Sequence, residues 1–308
     1  MFYRKNLGRG YMAMSVPGQR IGFFGRIGRG WKMTKLGVAV VRADPELMVY
    51  TFFSAVFSIV ASIAVISGSI GLEMVFGSEV TSAQEQDAMT MANLGMVFVG
   101  YLVISVITVF WNAAIVASAY ERLTAGTNPS FSYGIRQASK CLPQILAWGI
   151  ISGTVGVILK ILEGVARDDD SPVPLRIVAG LASAILGVAW WMATFFVVPI
   201  LVLEKAGVVD SMKRSPGLFK ETWGEDVGSH IGTGLLQFLV IIVLCLLIIP
   251  LFFLGEFGAI LAIVLLFTGV GLSVLFFATV ESVNRASLFY YANTGQMPPM
   301  AEKSGIEF

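Results

Sequence analysis

Charge is the scarcest resource in this 308-residue chain: only 13% of residues are Asp, Glu, Lys or Arg, against 56% hydrophobic, and the mean hydropathy is +0.79. A soluble protein of this length has too much surface to cover with so few charges, which excludes an ordinary water-soluble domain. Histidine occurs once, as His230, and cysteine twice, as Cys141 and Cys245. One histidine assembles no Ser-His-Asp, Cys-His or metalloprotease constellation. Two cysteines and one histidine make no zinc cluster, and the cysteines stand in segments too different in polarity for an expected disulfide. No aspartate falls within a strongly apolar run, which removes intramembrane proteolysis by paired aspartates. The sequence therefore supplies no catalytic residues, no metal ligands and no cofactor motif, and nothing in it points to nucleic acid.

What the chain has in abundance is long apolar runs. About 20 helical residues cross the hydrocarbon core of a bilayer. Six stretches reach that length, at 47–72, 94–118, 144–164, 176–203, 231–254 and 257–280. They are too long and too uniformly apolar for barrel strands. The expected fold is all-α, a polytopic bundle of six transmembrane helices. The first run begins too far from the N-terminus for a secretory signal peptide and reads as a retained span. Asp44-Pro45-Glu46 supplies a capping acid and a helix-starting proline before the first span, and Pro143 plays the same part for the third. Pro199 and Pro250 lie inside the fourth and fifth spans and are expected to kink them. The division that follows is a basic segment over 1–46, a six-helix domain over 47–288 and a tail over 289–308.

Orientation follows from lysine and arginine. Residues 1–46 carry nine: Arg4, Lys5, Arg9, Arg20, Arg26, Arg29, Lys32, Lys35 and Arg42. The connections after the second and fourth spans, with the tail, bring that side to 18, against Arg167 and Arg176 on the other. The acids Glu73, Glu79, Glu85, Asp87, Asp168, Asp169 and Asp170 fall on the poorer side. Both termini are expected in the cytoplasm, and the location expected is a prokaryotic inner membrane.

Before each odd-numbered span a short segment repeats the order small, apolar, basic, any, small: Gly30 to Thr34, Gly134 to Ala138, and Ser211 to Ser215. The pattern suggests three related helical hairpins, each entered through an interfacial helix. In 21–42, Phe23, Phe24, Ile27, Trp31, Val38 and Val41 share a helical stripe, with Arg26, Arg29, Lys32 and Lys35 around the rest. That segment is expected in the headgroup layer, where it anchors the first span and offers a surface for anionic lipid. Its glycines form no phosphate loop, since no strand precedes them and no Gly-Lys-Ser/Thr follows. Lys213, Arg214, Lys220 and Trp223 mark the connection before the fifth span as a second lipid or partner surface. Within spans, Asn112, Gln237, Lys160 and Glu163 are the polar residues to watch. Asn112 and Gln237 most simply bond to a neighbouring helix, and Lys160 pairs with Glu163 across one turn. Gly149 and Gly153, and the series Ala179, Ser183, Gly187, are candidate packing seams. The acids at 168–170 read as a solvated turn, and His230 as an interfacial residue.

Several stretches resemble a family of uncharacterised bacterial and archaeal membrane proteins with six helices, known only as a domain of unknown function. They are Val40 to Leu47, Trp111-Asn112-Ala113-Ala114, Ala193 to Pro199, Met212 to Ser215 with Leu218 to Glu225, and Tyr290 to Gly295 before Pro298. The chain is also distantly similar to the membrane domains attached to some glycerophosphodiester phosphodiesterases, without their catalytic barrel. The resemblance implies the fold and brings no activity. The function expected is a non-enzymatic scaffold or accessory subunit that binds membrane lipid, anionic by preference, or a protein partner or second copy. The alternative is a transporter or channel for a small solute or lipid.

Overall fold

The computed structural model describes residues 23–76 and 83–306; Arg4, Lys5, Arg9, Arg20 and Glu79 lie outside them. The described residues form helices and no strand. In order these are α1 (Phe23–Ala43), α2 (Leu47–Phe76), α3 (Ala83–Ala125), α4 (Phe131–Ser139), α5 (Leu142–Arg167) and α6 (Val173–Thr194). After them come α7 (Val197–Leu203), α8 (Val208–Ile248), a 3-10 turn (Ile249–Phe253), α9 (Gly255–Thr294) and α10 (Pro299–Lys303). Six helical stretches are long and apolar enough to cross a membrane, so the chain is a multi-pass membrane protein built as an all-α bundle.

The prolines act where the sequence places them. A proline ring clashes with the carbonyl four residues back and donates no hydrogen bond. Counting four back from Pro199 gives Phe195, and there the fourth span breaks into α6 and α7. The Phe196 amide released by the break donates to Ser215 Oγ at 3.0 Å, a partner supplied by α8. Pro250 converts the end of α8 into the 3-10 turn. At the start of α2, the amides of Leu47, Met48 and Val49 donate to the carbonyls of Asp44, Pro45 and Glu46, so that helix opens on a tight turn. Asp44 is buried there, and burial pushes its carboxyl above the usual carboxylate range against the opposing pull of Arg122.

Helices α2 with α3, α5 with α6 and α8 with α9 pack as three hairpins. The core sits at one end of them. Leu36, Val40, Tyr50, Ala114, Val116, Ile145, Leu201 and Val283, drawn from six helices, are buried together where α1, α4, α7 and α10 meet the ends of the spans. Away from this hub the hairpins turn Ile63, Ile66, Leu181, Ile185, Phe238, Leu246 and Phe267 outward. Apolar surface on that scale belongs against lipid.

The hub has a cyclic logic. Helix α4 packs on α3, the first part of α8 on α7, and α1 on α9, so each entry helix seats on an even-numbered span. The small residues at both ends of all three repeat segments, Gly30, Thr34, Gly134, Ala138, Ser211 and Ser215, are buried, Gly30 and Thr34 against α8. Each even span also ends on a residue of positive φ: Gly126 (70°), Lys205 (56°) and Gly295 (70°). Lysine there carries a Cβ penalty that glycine avoids. Lys205→Gly is expected to stabilise the protein by about 1 kcal/mol, read as a higher melting temperature in detergent.

Candidate functional site

Three glycines spaced by four, Gly224, Gly228 and Gly232, let α8 come into backbone contact with α1. A Cβ on Gly228 would stand 2.5 Å from the carbonyl oxygen of Ile27, and one on Gly30 would stand 2.5 Å from the amide nitrogen of Ser229. The buried face of α1 is consequently Gly30, Met33, Thr34, Leu36, Gly37, Val40 and Val41, and Phe24 from the predicted apolar stripe is exposed. Helix α1 is a core element of the hub, packed on α8 and α9.

The close approach gathers polar groups. Thr34 Oγ1 lies 3.0 Å from the Ser229 carbonyl and donates to it, and Asn284 Nδ2 donates to Thr233 Oγ1 at 3.2 Å. Arg29 Nη1 donates to Tyr291 Oη at 2.5 Å and stands 3.9 Å from Glu225 Oε1. Glu225 is 2% exposed and Asp226 is fully buried, and neither carboxyl oxygen of Asp226 has a hydrogen-bond partner among the described residues. The charged groups acting on Asp226 are Arg285 and Glu281 of α9. Glu281 Oε1 in turn lies 3.5 Å from Arg285 Nη2 and 3.6 Å from His230 Nε2. The Arg285 guanidinium covers the Phe195 ring at 4.9 Å, and the His230 ring lies 5.2 Å from Trp191. Asp226 and His230 are four apart on α8, Glu281 and Arg285 four apart on α9, so each pair shares a helix face.

Beside this network a cleft of about 360 Å³ opens between α8 and α9, lined by His230, Thr233, Gln237, Phe277, Ala278 and Glu281, with Gly234 and Val274. His230 and Gln237 therefore belong to one feature, together with Glu281. Sequence reasoning missed Asp226, Glu281 and Arg285, because it placed Asp226 in a connection and left Glu281 and Arg285 beyond the last apolar run, 257–280. For Asp226 the signal is the small-residue series 224, 228, 232, which marks a continuous packed helix.

The other expected residues are dispersed. Trp31 packs near Gly232, and Lys35 Nζ lies 6.0 Å from its ring. Arg26 donates to the Glu221 carbonyl at 3.5 Å, and Lys32 is half-buried on α1. Arg214 makes a two-point ion pair with Glu204, one contact at 3.0 Å. Lys213, Lys220 and Trp223 are exposed and, at spacings of seven and three, share one face of α8. Lys160 and Glu163 pair with each other at 2.8 Å, away from the cleft. Asn112 Oδ1 is buried with no hydrogen-bond partner among the described residues. Gly149 and Gly153 face Val106, Leu102 and Ser105 of α3, whereas a Cβ at Gly187 would meet nothing. Asp168 accepts from Ser171 Oγ and the Asp170 amide, which hold its carboxyl below the usual range, and Asp169 pairs with Arg176 at 2.8 Å. Cys141 and Cys245 are free thiols.

Compared with known proteins, residues 91–298 match a family of unknown function, DUF6159, over more than half of the chain. No curated protein matches the chain.

Proposed function

We propose, from the premise that this chain belongs to the DUF6159 family of unknown function, that it is a non-enzymatic membrane scaffold that binds lipid on a basic hub. The observation that carries this reading is the locked pairing of α1 with α8, which leaves Lys35, Lys213, Lys220 and Trp223 exposed on rigid helices at one end of the bundle. Arg29 and Arg214 are already engaged by Glu225 and Glu204, so the lipid surface is narrower than the tally of basic residues suggests. The excess of lysine and arginine at this end argues for a cytoplasmic hub in a prokaryotic inner membrane, with both termini on that side. There the negative leaflet attracts each exposed lysine by about 1 kcal/mol. The distant likeness to the membrane domains of glycerophosphodiester phosphodiesterases enters this reading as a proposal about architecture alone. An accessory role toward a protein partner or a second copy would use the same surface.

The test is native mass spectrometry of the purified protein titrated with a glycerol-headed anionic phospholipid. Lys213→Glu combined with Lys220→Glu should lower retained lipid about tenfold, since two reversals remove at least 1.4 kcal/mol. Unchanged retention would sink the lipid-scaffold reading.

A transporter reading draws on Gln237 in the α8–α9 cleft. The other intramembrane polar residues, Asn112, Lys160 and Glu163, do not line that cleft, so they add nothing to a pathway through it. Solute uptake into proteoliposomes would decide for transport.

A further inference from the structure

We propose that Asp226 is a proton-binding site served by the α8–α9 cleft, and that Arg285 changes carboxylate as the proton comes and goes. The site shares no residue with the basic surface of Lys213 and Lys220, so it goes beyond the lipid-scaffold reading and is independent of it.

Two buried groups are left unmatched where α8 meets α9. Asp226 is fully buried, and neither of its carboxyl oxygens has a hydrogen-bond partner among the described residues. Arg285 Nε is likewise buried without a partner among them, while Nη2 of the same guanidinium stands 3.5 Å from Glu281 Oε1. Arg285 and Glu281 are the charged groups that face Asp226 from α9. On α8 its neighbours are His230 and Glu225, and Arg26 and Arg29 of α1 act on Glu225. The fourth span brings Trp191 and Phe195 against His230, and neither carries a charge. With Arg285 held by Glu281, an ionised Asp226 would be a buried carboxylate without a hydrogen bond, and a proton removes that cost. The acid is the neutral member of the cluster, and the proton is its ligand.

The same residues allow a second arrangement of equal charge. His230 stands four residues from Asp226 on one face of α8, lines the cleft, and holds Nε2 3.6 Å from Glu281 Oε1. Helical side chains lean toward the N-terminus, so the imidazole reaches back toward Asp226. A proton leaving the Asp226 carboxyl passes to the unprotonated nitrogen of that ring. One O–H bond breaks, one N–H bond forms, and no electrons are transferred. Arg285 then turns its unused Nε to the new carboxylate, and Glu281 takes the histidinium as its partner. Both arrangements are neutral: Arg285 balances Glu281 in the first, and Arg285 and His230 balance Asp226 and Glu281 in the second. From His230 the proton is one step from the cleft, where the Glu281 side chain is 43% exposed. Ionisable side chains at such depth in a membrane bundle mark proton relays.

Infrared spectroscopy of the purified full chain at neutral pH reads the C=O stretch of a protonated carboxyl. Asp226→Asn keeps the shape and the neutrality of the acid and should remove a band that the wild type shows. The comparison separates Asp226 from Asp44, the other buried aspartate among the described residues. Glu281→Gln should remove the same band with Asp226 still in place, because Arg285 loses its first carboxylate and settles on the second. Glu281 lies at the open cleft, so this variant serves alone if Asp226→Asn fails to fold. In heavy water the band moves as the proton exchanges, and His230→Phe should slow that exchange by about tenfold. Superimposable spectra of the wild type and Asp226→Asn, or a band that survives Glu281→Gln, would overturn the site. Exchange as fast in His230→Phe as in the wild type would overturn its connection to the cleft.

Discussion

Gly228→Leu is expected to unseat α1 from the bundle. The obstacle is main chain: a Cβ at this position already stands 2.5 Å from the Ile27 carbonyl oxygen and 2.7 Å from the Ile27 Cα. Flexible side chains yield to an added methyl group, but two helix backbones in contact separate instead. Overpacking of a well-filled core costs about 1–3 kcal/mol, and a backbone clash with a leucine belongs at the upper end. A loss of about 3 kcal/mol raises the population of the detached state roughly a hundredfold. Limited trypsinolysis reads this directly, since Arg29, Lys32 and Lys35 lie on α1 and become cleavable when it lifts away. Gly217→Leu is the control, on the same helix with nothing within 4 Å of its Cβ position. Equal tryptic rates for the two variants would remove the glycine seam as the device that holds α1.

Removing Arg29 should be nearly as damaging, for a different reason. Glu225 is 2% exposed, and Arg29 gives it a cation at 3.9 Å and holds Tyr291 at the same time. Taking away Arg29 leaves the buried Glu225 carboxyl with Arg26 as the cation that still acts on it, so the loss falls at the lower end of the about 3–5 kcal/mol that breaking a buried pair costs. Replacing both by neutral groups costs much less, because nothing charged remains to be solvated. Arg29→Met should therefore melt far below the wild type, and Arg29→Met with Glu225→Gln should recover most of the loss. Denaturation of the four proteins in one detergent gives the coupling energy. Additive effects would mean that Arg29 acts through packing and Tyr291 alone.

The six spans were legible because a bilayer imposes a length and a polarity that few other environments demand. The break at Phe195 was legible too, since the consequence of Pro199 is fixed four residues back. The role of α1 was harder to read. Its stripe of Phe24, Ile27 and Trp31 has the look of a membrane-surface helix, and periodicity sees only which residues are apolar. Its real seam is built from Gly30 and Gly37, whose contribution is the absence of a side chain. Hydropathy averages also hid the first half of α8. Lys213, Arg214, Lys220, Glu221, Glu225 and Asp226 pull the mean down, so a helix continuous from Val208 to Ile248 read as a connection followed by a span. The same averaging hid Glu281 and Arg285, which sit on a helix that runs past the apolar window to Thr294. The cleft joins two helices whose polar ends were both assigned to loops, so no single-segment pattern contained it.

The seating of α1 on α8 and α9 bears on how the chain is made. Synthesis runs from the N-terminus, so α1 emerges well before α8 and α9, the surfaces that receive it. Through roughly two hundred residues of elongation its glycine face has nothing to close against, and the contacts it finally makes span most of the chain. The nascent protein is thus an open series of hairpins until α8 and α9 are made, and α1 is a latch that closes only then.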